Sequence, residues 1–204
     1  MLGRLLCCLI AGFLLLNQVA QAQSQSLLVL GDSISAGYGI EIDHGWVSLL
    51  QQRLDERGLS YQVVNASISG DTTAGGRNRL PQLLERHAPA LVIIELGGND
   101  GLRGLSLASL QNNLRHMVQQ SRAAGADVLL LGMRIPPNYG PRYSEGFHQS
   151  FQLVAQQEQV ALVGFLLEGV AIEPGMMQDD GIHPARPAQQ LMLENVWQVL
   201  EPML

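Results

Sequence analysis

A serine, a histidine and an aspartate are placed in this chain so that they could act as a nucleophile, its base and the group that orients the base. Ser33 closes Gly31-Asp32-Ser33 directly after a short apolar run, and His183 stands in Asp180-Gly181-Ile182-His183-Pro184. A serine hydroxyl is a poor nucleophile until a base within hydrogen-bonding reach takes its proton. Neutral imidazole suits that task near pH 7, and an acidic partner fixes its tautomer and stabilises the imidazolium. Asp180 lies three residues before His183, so one tight turn presents both groups together. Gly181 relaxes the backbone there, and Pro184 restricts His183 to extended conformations. Asp179 is a rival for the orienting role, with the spacing favouring Asp180. The chemistry such a set would do is attack on an ester or thioester carbonyl.

Attack on a carbonyl also needs donors for the oxyanion that forms. The backbone N–H groups of Ser33 and Gly70 and the side-chain amide of Asn99 would supply three. Removing one such donor typically costs about 10²–10³ in turnover. Each motif also has a plain structural reading. Gly-Asp-Ser after a strand serves as a turn with a helix cap. Gly97-Gly98-Asn99-Asp100-Gly101 and Asp180 to Pro184 serve as turns. Their joint occurrence, in one order and at one end of a sheet, is hard to obtain from independent loops.

The elements that must position these residues alternate along the chain. Short apolar runs at 26–30, 61–64, 91–96, 127–133 and 160–165 read as strands, and helical spacing covers 45–57, about 72–87, about 106–124, about 143–158 and 187–200. This alternation predicts a single α/β domain, residues 23–204, with about five parallel strands and helices on both faces. In such sheets ligands bind beyond the carboxyl ends of the strands. Ser33, Gly70 and Asn99 follow the first, second and third strands, and the Asp180/His183 turn precedes the last helix.

Residues 1–22 read as an address rather than part of the domain. Arg4 is followed by an apolar run from Leu5 to Leu16 and then by Ala20-Gln21-Ala22, the pattern of a secretory signal peptide. The run is shorter than the roughly 20 residues a bilayer-spanning helix needs, so cleavage after Ala22 and no stable membrane anchor are expected. Secretion across the inner membrane, to the periplasm, follows from that expectation. Both cysteines, Cys7 and Cys8, lie in the leader, which leaves the mature chain neither a disulfide nor a thiol nucleophile.

A net charge of −6, with no lysine, excludes the basic stripe of a nucleic-acid binder. With 15% charged and 47% hydrophobic residues the chain is globular rather than disordered. His44, His87, His116 and His148 are scattered without ligand spacing, so no metal is expected. No G-x-x-x-x-G-K-[ST] or G-x-G-x-x-G is present, so no phosphate cofactor is indicated. A monomer acting on small molecules is the expectation.

Four blocks together carry a resemblance. Gly31-Asp32-Ser33-Ile34-Ser35, Gly70 in Ser69-Gly70-Asp71, Gly97-Gly98-Asn99-Asp100 and Asp180-x-x-His183-Pro184 are similar to the signature of the SGNH (GDSL) hydrolases. The resemblance covers nearly the whole mature chain and is strongest to the bacterial periplasmic thioesterase, lysophospholipase and arylesterase branch, on the Asn65 to Thr73 segment and the residues after Ser33. It implies a flavodoxin-like three-layer α/β/α fold, the roles given above for Ser33, Asp180, His183, Gly70 and Asn99, and broad action on acyl esters and thioesters. The α/β-hydrolases are excluded as close relatives, because the second glycine of G-x-S-x-G is missing.

Leu102, Leu105 and Leu107 follow the Asn99 loop, Ile135-Pro136-Pro137-Asn138-Tyr139 follows the fourth strand, and Ile172, Met176, Met177 and Ile182 surround the Asp180/His183 turn. If Leu102, Ile135, Pro136, Tyr139 and Ile182 flank the serine they form an apolar groove for an acyl chain; otherwise they only close the core. Two further readings stay open: deacetylation of sugars, and a non-catalytic acyl-binding protein that retains the site as a relic.

Overall fold

The computed structural model describes residues 24–204, so the expected signal peptide lies outside the described residues. Five parallel strands form one sheet: β1 (Gln25–Gly31), β2 (Tyr61–Asn65), β3 (Leu91–Glu95), β4 (Asp127–Leu131) and β5 (Ala161–Val163), in the order β2-β1-β3-β4-β5. Between them run α1 (Ser33–Ala36), α2 (Trp46–Glu56), α3 (Thr73–His87), α4 (Gly98–Leu102), α5 (Leu107–Ala123) and α6 (Pro141–Glu158), and α7 (Gln189–Leu200) follows β5.

Side chains on a strand alternate between faces, and the two cores follow that rule. Leu27 and Val29 of β1, Leu91 and Ile93 of β3, and Leu129 and Leu131 of β4 pack with Trp46, Leu50 and Leu54 of α2 and Met192, Val196 and Trp197 of α7. Leu28, Leu30, Val92, Ile94, Val128 and Leu130 pack on the other side with Leu80 and Leu84 of α3, Leu114 and Met117 of α5, and Phe147 and Phe151 of α6. Burial on both faces explains why β1, β3 and β4 read as continuous apolar runs rather than as alternating ones. Each such side chain removed from water contributes roughly 1.5–3 kcal/mol.

Element ends follow local chemistry. Thr72 and Ser106 cap α3 and α5 by accepting from the N–H groups of Gly75 and Ser109. The start of α2 has no side-chain cap of its own; Trp46 N–H instead donates to Gln189 Oε1 of α7 at 3.0 Å, which ties one end of the chain to the other. The expected last helix opens as a 3₁₀ turn, Arg186–Ala188, and becomes α-helical at Gln189. The fifth strand is shorter than its apolar run, because it lies at the sheet edge and pairs only with β4. Two short helices, α1 and α4, were not expected from periodicity, and they are built from the serine and asparagine motifs themselves.

β1 lies between β2 and β3, so the chain reverses its direction of progress across the sheet at this point. The loops leaving β1 and β3 there frame a crevice at the carboxyl edge.

Candidate active site

The first segment of the site is the turn out of β1. Asp32 caps α1, its Oδ1 accepting from Ile34 N–H at 3.0 Å, and this places Ser33 at the first helical position. Gly31 pairs with Glu95 at the end of the sheet, and a side chain there would meet Ser35 Cβ and Ser67 Oγ at 2.7 Å and Glu95 Oε2 at 2.8 Å. Only glycine lets the strand end pass so close to these groups.

The second segment is the loop before α7. Met177 and Pro184 form an antiparallel bridge, and Gln178 N–H donates to His183 O at 2.8 Å. Gly181 takes a φ of +65° at the tip, which a side chain would resist. His183 Nε2 lies 2.9 Å from Ser33 Oγ, and His183 Nδ1 lies 2.6 Å from Asp180 Oδ2. A carboxylate only accepts, so Nδ1 carries the hydrogen and Nε2 faces the serine as the acceptor. Asp180 Oδ1 accepts from the N–H groups of Ile182 and His183, each at 2.9 Å. The imidazole bond first, and these two backbone bonds next, pull the Asp180 carboxyl down to about 2. It is therefore Asp180, not Asp179, that contacts His183.

The three expected donors lie on the segments that leave β1, β2 and β3. Ser33 N–H and Gly70 N–H have no partner among the described residues. Asn99, on α4, donates one amide hydrogen to Asp32 Oδ2 at 3.1 Å, which leaves its second hydrogen to point elsewhere. Gly70 O is held by Arg103 Nη2 at 3.0 Å, so the loop carrying Gly70 is tied to the residue that ends α4.

Behind these groups lie two buried carboxyls. Glu95 Oε2 accepts from Asp32 N–H at 3.1 Å and from Ser35 Oγ at 2.7 Å. Burial raises Glu95 well above the ordinary carboxylate range, and the neighbouring Asp32 charge adds to this. Burial likewise raises Asp32 to about 6, opposed by its bonds from Ile34 N–H and Asn99. The pair therefore sits where one negative charge is tolerated better than two.

An apolar groove of about 380 Å³ opens beside this set. Ile34, Gly98, Leu102, Ile135, Pro136, Phe165, Ile172, Met177 and Ile182 are among its lining residues. Leu102, Ile135, Pro136 and Ile182 lie on its wall. Tyr139 lies instead on a separate recess with Leu107 and Tyr143, because the 3₁₀ turn Pro137–Tyr139 carries its ring away and its hydroxyl donates to Leu102 O at 2.9 Å. Leu105, Leu107 and Met176 are likewise not on the groove wall.

Several positioning residues escaped the sequence reading. Arg79 of α3 bonds Asp71 Oδ2 at 2.8 Å, Gly31 O at 3.2 Å and Ala66 O, thereby joining the end of β1 to the loop between β2 and α3. Asp100 accepts from Thr73 N–H at 2.8 Å and Thr73 Oγ1 at 2.6 Å, fixing α4 to the start of α3. Gln178 Nε2 donates to Tyr38 O at 2.8 Å and Pro184 O at 3.1 Å, and the Tyr38 ring lies 4.5 Å from that of His183. Among the described residues no group of three or more His, Cys, Asp or Glu side chains could hold a metal ion.

The family described as GDSL-like Lipase/Acylhydrolase matches residues 29–191. Esterase TesA of Pseudomonas aeruginosa is 62% identical over 184 residues, covering 90% of this chain and 92% of the relative. The thioesterase 1/protease 1/lysophospholipase L1 of Escherichia coli strain K12 is 43% identical over 192 residues, covering 94% and 91%. Among solved structures, the psychrotrophic esterase EstA from a Pseudoalteromonas species, inhibited by monoethylphosphonate, has a TM-score of 0.84 at 41% identity, covering 88% of this chain and 98% of its own.

Proposed function

The chain belongs to the GDSL-like lipase/acylhydrolase family and is a serine esterase and thioesterase; from that premise we propose that Ser33, His183 and Asp180 carry the reaction and that the apolar groove holds the acyl chain. Ser33 Oγ attacks the acyl carbonyl as His183 Nε2 takes its proton. The oxyanion is met by Ser33 N–H, Gly70 N–H and the second amide hydrogen of Asn99. His183 then gives its proton to the departing alcohol or thiol, which leaves an acyl ester on Ser33. Water attacks this ester with His183 again as base, and the carboxylic acid leaves as Ser33 regains its proton. Asp180 stays ionised throughout, so the imidazolium formed in each half-reaction is stabilised.

The observation that carries this reading is the unbroken pair of contacts, 2.9 Å from Ser33 Oγ to His183 Nε2 and 2.6 Å from His183 Nδ1 to Asp180 Oδ2. Lysophospholipids and aryl esters of fatty acids are proposed as substrates, since their acyl chains match an apolar groove. Acetylated sugars are disfavoured, because an acetyl group would leave most of that wall uncovered. A fluorophosphonate should label the wild type and not Ser33→Ala, and turnover should favour longer acyl chains over acetyl. Labelling that persists in Ser33→Ala, or preference for acetylated sugars, would overturn the reading.

Export and release after Ala22, with the mature chain acting as a periplasmic monomer, is proposed from the leader pattern. No helix of the described residues is long and apolar enough to cross a membrane. A mature N-terminus at Gln23, read by mass spectrometry of the secreted fraction, is the expected result.

A further inference from the structure

Among the described residues lining the groove, Arg134 is the one that carries a charge. It follows Met133 and precedes Ile135, both buried in the wall, while Arg134 itself is exposed. An uncharged acyl chain has no use for a guanidinium beside it. A chain that ends in a carboxylate does, since arginine offers that group two parallel hydrogen bonds.

The guanidinium is held in place rather than left to wander. Its Nη2 lies 2.9 Å from His148 Nε2, and its plane carbon lies 5.7 Å from the centre of the Phe165 ring. His148 is buried at 6% exposure, and its Nδ1 lies 3.2 Å from Met133 O. A carbonyl oxygen only accepts, so Nδ1 donates and Nε2 is the acceptor that arginine requires. Gln152 Nε2 approaches the same Nε2 at 3.3 Å. Arg134 is thus fixed by a neutral ring and an aromatic face, forms no ion pair among the described residues, and keeps guanidinium hydrogens with no partner there.

Arg134 also stands on a boundary. Beyond it and Phe165 the apolar groove gives way to a recess lined by His148, Gln152, Glu168, Asn195 and Gln198. A chain lying along the groove and passing Arg134 would bring its far end to this polar ground. Glu168 lies along the recess but does not neutralise the arginine.

We propose that Arg134 is a specificity residue that recognises a carboxylate at the far end of the acyl chain, so that esters and thioesters of dicarboxylic acids, singly esterified, are substrates of this site. The inference rests on the assignment of the groove to the acyl chain. The selected length is the one whose terminal carboxylate reaches the guanidinium, with shorter and longer members gaining less.

The test compares aryl esters of simple fatty acids with aryl hemi-esters of dicarboxylic acids of matched length. In the wild type one length of the carboxylate series should show a lowered KM that rises again with added salt, because the contact is ionic. In Arg134→Gln the ratio of kcat/KM for that hemi-ester to kcat/KM for its uncharged counterpart should fall about tenfold or more, the size expected for a hydrogen bond to a charged group. Arg134→Lys should recover part of the ratio. A ratio unchanged in both variants, or a wild-type carboxylate series with no favoured length and no salt dependence, would overturn the proposal while leaving the acyl groove intact. Hydrolysis of the uncharged esters that ignores chain length would remove the groove assignment itself, and this inference with it.

Discussion

Asn99 Nδ2 donates to Asp32 Oδ2 at 3.1 Å, so the residue just before the nucleophile sets the direction of the amide proposed to meet the oxyanion. The other oxygen of Asp32 caps the helix that begins at Ser33. One carboxylate therefore aligns the nucleophile and the third oxyanion donor together. Asp32→Asn can still cap α1, but it must turn either its amide or its oxygen towards each donor and can satisfy only one. We expect kcat to fall about 10–100-fold with KM little changed, against about 10²–10³ for Asn99→Ala. Because both changes act on one donor, Asp32→Asn should cost little more once Asn99 is alanine. Additive losses in that double-mutant cycle would show that Asp32 does not work through Asn99.

The buried pair behind the serine gives stability a particular pH dependence. A carboxyl raised by burial holds its proton more tightly in the folded chain than in the unfolded one. Its contribution to stability is greatest at low pH and is lost as pH rises through the folded value. For Asp32 that loss runs from the ordinary value of 3.8 to about 6, and for Glu95 it continues higher. Asp180 and Glu194, both lowered, act in the opposite sense at more acid pH, so a difference between two proteins is the clean readout. Glu95→Gln keeps an oxygen for Asp32 N–H and Ser35 Oγ but cannot ionise. Its stability relative to the wild type, from urea unfolding, should rise as pH is raised above the ordinary carboxylate range. A difference independent of pH would mean that Glu95 titrates alike in the folded and unfolded chains.

Which of these features a sequence discloses depends on how locally each is determined. Leu-Val-Leu in β1 and Leu-Val-Ile-Ile in β3 announce buried strands because every one of these side chains is apolar. The Asp180/His183 turn is legible because both groups lie within one turn of chain. Glu95 is not legible: it sits inside the apolar run 91–96 as the last residue of β3, and its neighbour Asp32 is known only from the register that sets Gly31 beside it. Helices α1 and α4, four and five residues long, are too short for a helical period to show. Arg79 and Gln178 act on loops whose proximity exists only in the fold, and a polar residue on an amphipathic segment reads as a solvated one. Tyr139 fails for the converse reason, since adjacency to Ile135 in sequence does not survive the 3₁₀ turn between them and the next helix.

Asp179 and Asp180 provide an internal contrast for the orienting role. Asp180 spends both oxygens on His183 and the N–H groups of Ile182 and His183. Loss of Asp180 removes the imidazolium partner and the staple of the turn at once, and kcat of Asp180→Ala should fall by about 10³–10⁴. Asp179→Ala should stay within about threefold of wild type, as expected of a surface change away from the site. Equal losses would mean that the turn can exchange the two carboxylates.

Gln178 offers the sharpest separation of geometry from stability. Its amide nitrogen bridges Tyr38 O, on the loop after α1, and Pro184 O, beside His183. These two bonds join the loop that follows the nucleophile to the loop that carries the base, and a Cβ on Gly39 would strike the same amide at 2.2 Å. Without them, nothing else between Tyr38 and the His183 loop is directional: the two rings touch 4.5 Å apart at a 38° tilt. Gln178→Ala should lower stability by only about 1–2 kcal/mol, the net worth of two partly exposed hydrogen bonds. The 2.9 Å contact between Ser33 and His183 has no such tolerance, since misplacement by about 1 Å can cost about 10²-fold in rate. We therefore expect a loss of kcat of at least tenfold alongside a modest shift of the urea midpoint, with fluorophosphonate labelling slowed in parallel. Full kcat in Gln178→Ala would show that the Asp180–Pro184 turn holds His183 in register unaided.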